Sequence, residues 1–179
     1  MRLPFLNRTN DLKRLKAALA STDSTLCVLY GRRRCGKSRL LQELVQSMRS
    51  VYYLADQTEE ELQRSTLATE ASRLVPGFET AAYHDWWSLL STLRDRAPAG
   101  AVVVLDEFPY LVNSSPALPS VVQRLVDTTE KKAFHLVLCG SSQRMMHGLT
   151  IDADAPLYGR AREVLRLQPL APGWIRHAL

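Results

Sequence analysis

Gly31-Arg32-Arg33-Arg34-Cys35-Gly36-Lys37-Ser38 has the spacing G-x-x-x-x-G-K-[ST] of a loop that cradles phosphate. Its two glycines let the backbone turn so that several N–H groups point inward, and a following helix would add the positive end of its dipole. In such a loop Lys37 reaches the β- and γ-phosphates of a nucleotide, and the Ser38 hydroxyl binds Mg²⁺. The predicted nucleotide-binding segment therefore runs from Gly31 through Arg32, Arg33, Arg34, Cys35, Gly36, Lys37 and Ser38 to Arg39. Because the backbone does the cradling, the side chains of Arg32, Arg33 and Arg34 are expected to be exposed charge that raises the local potential. Contact with a partner subunit or a nucleic-acid backbone is the alternative. Cys35, near a lysine and a helix N-terminus, suits small-residue packing, with redox control of the loop as the sharper alternative.

A second group lies downstream. Val102-Val103-Val104-Leu105 ends in Asp106-Glu107, and acids at the carboxyl end of a parallel strand stand where open α/β sheets bind ligands. Asp106 is expected to hold the magnesium through water, opposite Ser38, and Glu107 to polarise an attacking water as general base. Two surface acids ending a strand are the alternative. A third group, Ser141-Ser142-Gln143-Arg144, follows another apolar run. Ser141 or Ser142 is placed to hydrogen-bond the γ-phosphate or the attacking water, and Arg144 to sense phosphate charge. A serine helix cap with an exposed arginine is equally in keeping with that pattern.

These residues need elements to position them, and helical and strand patterns alternate along the chain. "TNDLKRLKAALA" predicts a helix capped by Thr9 or Asn10, with Leu12, Leu15 and Leu19 on one face. Thr25–Tyr30 is a short apolar run, the pattern of a strand buried on both faces. Lys37 to about Met48 predicts a helix with Leu40, Leu41, Leu44 and Val45 on one side. Ser50–Ala55 predicts a second strand. Thr58 and Glu61 have capping-box spacing for a helix running towards Leu74 and stopped by Pro76-Gly77. Asp85-Trp86-Trp87 opens another helix, in which the tryptophans read as core or rim packing. Ala101–Glu107 predicts the third strand. "NSSPALPS" predicts a loop before a helix with Val122, Leu125 and Val126. Phe134–Ser142 predicts the fourth strand, with His135 in the core. A short helix, a loop and a fifth strand over Glu163–Leu170 follow. The alternation implies an α/β fold, a parallel sheet between helices, in one domain over residues 1–179.

Composition narrows the function classes. No apolar run has the length of a bilayer span, and "MRLPFLNRTND" meets polar residues too soon for a signal peptide. Three cysteines without a CxxC pair point to a reducing cytoplasm, and four scattered histidines lack metal-ligand spacing. The net charge of +5 is uneven: residues 1–50 hold 11 Lys/Arg against 3 Asp/Glu, whereas residues 51–110 hold 4 against 10. The positive excess surrounds the phosphate loop, where it would attract nucleic acid or the phosphates of one nucleotide alike.

"FLNRTNDLKRL", "LYGRRRCGKSRLL", "VVVLDEFPYLV", "LVLCGSSQRMM" and "PLYGRARE" follow one another as in the archaeal-type, STAND-related P-loop ATPases of the AAA+ class, which this chain resembles from about Phe5 to Leu170. The resemblance implies a three-layer core with five parallel strands in the order 5-1-4-3-2, the strand before Ser141 lying between those bearing Lys37 and Asp106. It implies ATP with Mg²⁺, with Asn7 and Arg8 lining the base pocket. It also draws attention to Arg160 and Arg162 as an arginine finger for a neighbouring subunit, a salt bridge to Asp152, Asp154 or Glu163 being the alternative. The resembled proteins continue into a helical lid and a winged helix, whereas this sequence ends at Leu179. It is therefore expected to be a shortened ATPase core, with an apolar seam near Trp174 and Ile175 and a partner able to supply the lid. The expected function is ATP hydrolysis that switches contacts with a partner. A small-molecule kinase, or a non-catalytic nucleotide-gated module contacting DNA or protein, stays open as an alternative.

Overall fold

The computed structural model describes residues 8–128 and 132–169. Its strands are β1 (Leu26–Tyr30), β2 (Ser50–Leu54), β3 (Ala101–Asp106), β4 (Phe134–Gly140) and β5 (Ala161–Arg166). Its helices are α1 (Thr9–Leu19), α2 (Lys37–Val45), α3 (Glu60–Ala71), α4 (Trp86–Arg96), α5 (Phe108–Ser114), α6 (Leu118–Asp127) and α7 (Gln143–Thr150), with a 3₁₀ turn at Phe78–Thr80. All the strand pairs are parallel, in the order β2-β3-β4-β1-β5. This is the expected order read from the other edge, with β4 between β1 and β3.

Every residue of β1, β3 and β4 is buried, so their side chains alternate between two apolar layers instead of between core and solvent. Val28, Val103, Leu105, Leu136 and Leu138 face Leu67 of α3, Leu89 and Leu93 of α4, and Val122 and Leu125 of α6. Cys27, Leu29, Val102, Val104, Val137 and Cys139 face Leu15 and Leu19 of α1 and Leu40, Leu41 and Leu44 of α2. The sheet is thus the middle of three layers, and the carboxyl ends of β1, β3 and β4 come together at one edge.

Several local expectations shift. The residue ahead of α1 is Arg8, and neither Thr9 nor Asn10 caps it by side chain, because Thr9 already lies within the helix. The Thr58–Glu61 capping box does not form: Thr58 donates from its amide and hydroxyl to Asp56 (3.2 and 2.6 Å), and α3 starts after Glu59. That turn takes the serine-like cap away from the helix. Asp85 does make a capping box, with Ser88, at the start of α4. Trp86 is buried and Trp87 is half-buried beneath the Arg124 guanidinium, 3.8 Å from its ring. Helix α2 ends at Val45, short of Met48, and β5 begins at Ala161, two residues earlier than its apolar pattern suggested. Helix α5 was not expected at all. Its residues Phe-Pro-Tyr-Leu-Val continue the apolar run of β3, but Glu107 takes a left-handed conformation (φ 55°, ψ 43°) that turns the strand into a helix.

On β2, Val51 and Tyr53 face the α3/α4/α6 layer. Burial, and then the charge of Asp56, push the Tyr53 phenol up to about 12. A folded-state value above the unfolded one, about 10, makes this contribution to stability constant below pH ~10 and falling above it. In urea titrations, wild type should lose about 1 kcal/mol per pH unit between pH 10 and 12 that Tyr53→Phe does not lose; parallel curves would refute the assignment.

Candidate functional site

The phosphate loop joins β1 to α2 and is held from three sides. A Cβ on Gly31 would collide with the carbonyl oxygen of Leu167, just past β5, so this position accepts only glycine. Gly36 has φ 94° and Arg34 φ 62°, both in the left-handed region, so the chain curls back before α2 begins. Arg8 donates from Nη2 to the carbonyls of Cys35 (2.9 Å) and Gln168 (2.5 Å), tying the loop to the chain beyond β5. Asp11 lies 3.4 Å from the same guanidinium. Arg8 therefore braces the loop from behind. Asn7, Trp174 and Ile175 lie outside the described residues.

Inside the loop, Lys37 is 5% exposed and donates from Nζ to the carbonyls of Gly31 and Arg32, both at 3.0 Å. A buried ammonium needs such partners. Among the described residues the backbone amides from Arg33 to Arg39 find no acceptor; Leu40 is the first to bond, to Gly36. They are the orphan donors that every helix N-terminus carries, extended here into the loop. Cys35 is buried among Leu40 and its neighbours, which favours the packing role over a reactive thiol. Arg32, Arg33 and Arg34 are all exposed as expected. Arg33 also donates to the Tyr110 hydroxyl on α5 (3.0 Å). Arg39 pairs with Glu43 one turn on (3.6 Å).

Asp106, at the end of β3, has no exposed surface. Its Oδ2 accepts from the Tyr52 hydroxyl (2.6 Å) and its Oδ1 from the Glu107 amide (2.9 Å). Burial first, and then the charge of Asp106, hold the Cys139 thiol of β4 protonated. Burial and the Asp106 carboxylate likewise hold the Tyr52 phenol protonated. Tyr52, bonded to Asp106, is a residue that sequence reasoning missed. Its only signal was a tyrosine on the α2-facing side of a predicted strand.

Glu107 accepts through Oε2 from the amide (3.2 Å) and hydroxyl (2.9 Å) of Ser141, so the ends of β3 and β4 are clasped together. Ser142 caps α7 by accepting from Met145 N–H (3.4 Å), the alternative reading of that serine. Arg144 is exposed on the first turn of α7. Arg160 stands elsewhere. It makes a two-pronged pair with Asp127 at the end of α6 (2.7 and 2.9 Å), not with Asp152, Asp154 or Glu163. Because Ala161 pairs with Leu26 at the start of β1, Arg160 lies at the sheet edge opposite the loop. Arg162 donates to Ser21 (2.7 Å).

A parallel sheet in this order, with a phosphate loop after β1 and an acid pair after β3, defines a P-loop nucleoside-triphosphatase fold. More narrowly, the chain belongs to a family of ATPase domains predominantly from Archaea, whose profile matches residues 5–174. An uncharacterized protein of Methanocaldococcus jannaschii is 34% identical over 167 residues, covering 93% of this chain and 36% of that protein. The chain thus spans about a third of that relative's length. Among solved structures, the Walker-type ATPase of Pyrococcus abyssi superposes with a TM-score of 0.72 at 19% identity, over 94% of this chain and 55% of that one. ORC1 of Aeropyrum pernix, solved in complex with DNA, gives 0.66 at 18% identity, over 99% and 49%. A STAND protein of Pyrococcus horikoshii with a tetratricopeptide repeat sensor gives 0.57 at 15%, over 99% and 25%. These likenesses establish the fold. Among the described residues no helix is long and apolar enough to cross a membrane.

The contact of Gly31 with a backbone oxygen leaves no flexible neighbour to give way. Gly31→Ala should cost about 1–3 kcal/mol in denaturant unfolding, as overpacking does, and should weaken nucleotide binding at the same time. An unchanged unfolding midpoint would show that the loop and Leu167 are not locked together.

Proposed function

We propose that this chain binds ATP with Mg²⁺ and hydrolyses it, and that the nucleotide state switches contacts with a partner. The observation that carries the reading is the acid pair. Asp106 is wholly buried and accepts from the Tyr52 hydroxyl, while Glu107 is held beside it by Ser141.

The residues present fit both ligands. The acceptor-free amides from Arg33 to Arg39 and the close backbone approach at Gly31 suit a polyphosphate. Ser38 and Asp106 offer the hard oxygens that magnesium prefers, Asp106 through water since its lone pairs already receive donors. When bound, magnesium would neutralise charge developing on the phosphates. The chain's own residues do the rest. Lys37 exchanges the Gly31 and Arg32 carbonyls for phosphate oxygens, which couples the shape of the loop to occupancy. Glu107 keeps Oε1 without a donor among the described residues, free to accept a proton from water, while Ser141 fixes its orientation through Oε2. Ser141 therefore acts through Glu107, and Arg144 remains the candidate sensor of phosphate charge.

Lys37→Ala should abolish nucleotide binding, whereas Glu107→Gln should bind ATP with near wild-type affinity and turn it over about 100-fold more slowly. Phosphate release undiminished in Glu107→Gln would sink the general-base role, and transfer of phosphate to a metabolite in place of water would establish a kinase instead.

Arg160 lies at the edge of the sheet away from this chain's own loop, so as a finger it would serve a second subunit. A mixture of Lys37→Ala and Arg160→Ala proteins, each inactive alone, should then recover activity. No recovery on mixing assigns Arg160 to its pair with Asp127.

A further inference from the structure

We infer that Tyr52 is a positioning residue of the magnesium site, setting the Asp106 carboxylate oxygens in their binding arrangement before the metal arrives. The inference rests on the proposed ATP·Mg²⁺ function and goes beyond it, because neither the phosphate-loop pattern nor the acid pair includes any residue of β2.

A carboxylate with no exposed surface is costly unless donors surround it, and Asp106 receives two. One is tied to the adjoining backbone: the Glu107 amide belongs to the turn that starts α5. The other is the Tyr52 hydroxyl at 2.6 Å, the one side-chain donor to this carboxylate among the described residues. The phenol therefore fixes Oδ2 from a strand 54 positions away in sequence. Tyr52 can do this without moving. Its ring packs against the α1/α2 layer, and its strand is paired with β3 from Ser50 through Leu54. In this register Tyr52 lies opposite Val104, one diagonal step from Asp106 on the same face.

Two consequences separate positioning from packing. Removing the hydroxyl while keeping the ring leaves the apolar layer intact but frees Asp106 Oδ2 to rotate. The loss should fall on the metal and not on the phosphates, which the loop amides and Lys37 hold. Loss of a group that orients a metal ligand typically lowers metal affinity about 10–100-fold.

The test compares full-length wild type with Tyr52→Phe, and uses Tyr53→Phe, whose side chain faces the other layer, as control. A fluorescent ATP analogue is titrated in EDTA and then at rising Mg²⁺, and Mn²⁺ binding to the nucleotide complex is followed by electron paramagnetic resonance. The expected result is at least a tenfold rise in half-saturating Mg²⁺ and a weakened Mn²⁺ signal for Tyr52→Phe. Affinity in EDTA should be unchanged, and Tyr53→Phe should behave as wild type. In an Asp106→Asn background, Tyr52→Phe should add little further loss. Wild-type Mg²⁺ dependence in Tyr52→Phe would overturn the inference, as would an equal loss of binding in EDTA, which marks a folding effect. If wild type itself binds the analogue without regard to Mg²⁺, it is the proposed function that fails, and this inference falls with it.

Discussion

A buried carboxylate at the end of a central strand must be surrounded by donors, and the architecture around Asp106 meets that requirement. Tyr52 supplies one donor from the outer strand β2, and the backbone at Glu107 another. The phenol reaches Asp106 only because β3 is paired with β2. The left-handed turn at Glu107, a costly conformation for a residue with a side chain, aims the amide at Asp106 and launches α5 in the same step. Ser141 then grips the Glu107 carboxylate and so joins β3 to β4 at the edge where the chemistry is placed.

The phosphate loop depends on that sheet in a different way. It is braced by segments at both ends of the chain: Arg8 before α1, and Leu167 and Gln168 after β5. Among the described residues β5 pairs only with β1, so the strand that bears the loop is also the strand that brings its brace into place. Lys37, held by the loop's own carbonyls, completes a loop whose amides remain available while its carbonyls are engaged. Sites that bind and release a polyphosphate need such exchangeable partners for a buried cation, since an unpaired one would cost several kcal/mol.

Much of this was legible in the residues. The alternation of apolar runs and helical faces implied three layers, and the loop pattern and acid pair marked the edge where they belong. Less was legible where a side chain had two competing uses. Thr58 had the spacing of a helix cap but bonds Asp56, and Ser142 had the look of a phosphate sensor but caps α7. The third strand was expected to end at Glu107 but the helix after it was not expected, because one left-handed residue carries no sequence signature when it is a glutamate. Arg160 was expected either to act as a finger or to pair with Asp152, Asp154 or Glu163, and it pairs with Asp127, 33 positions away; exposed Arg33 bonds Tyr110, 77 positions away.

By itself the sequence determined the loop pattern, the acid pair and, α5 apart, the alternation of strands and helices, because backbone turns, periodicity and local charge act over a few residues. Tertiary structure alone decided which donors meet Asp106. The Tyr52–Asp106 bond spans 54 positions and depends on the register of β2 against β3, with Tyr52 opposite Val104. Since side chains alternate along a strand, a slip of one residue would carry the phenol to the other face of the sheet. No local pattern encodes that choice; the packing of both apolar layers does.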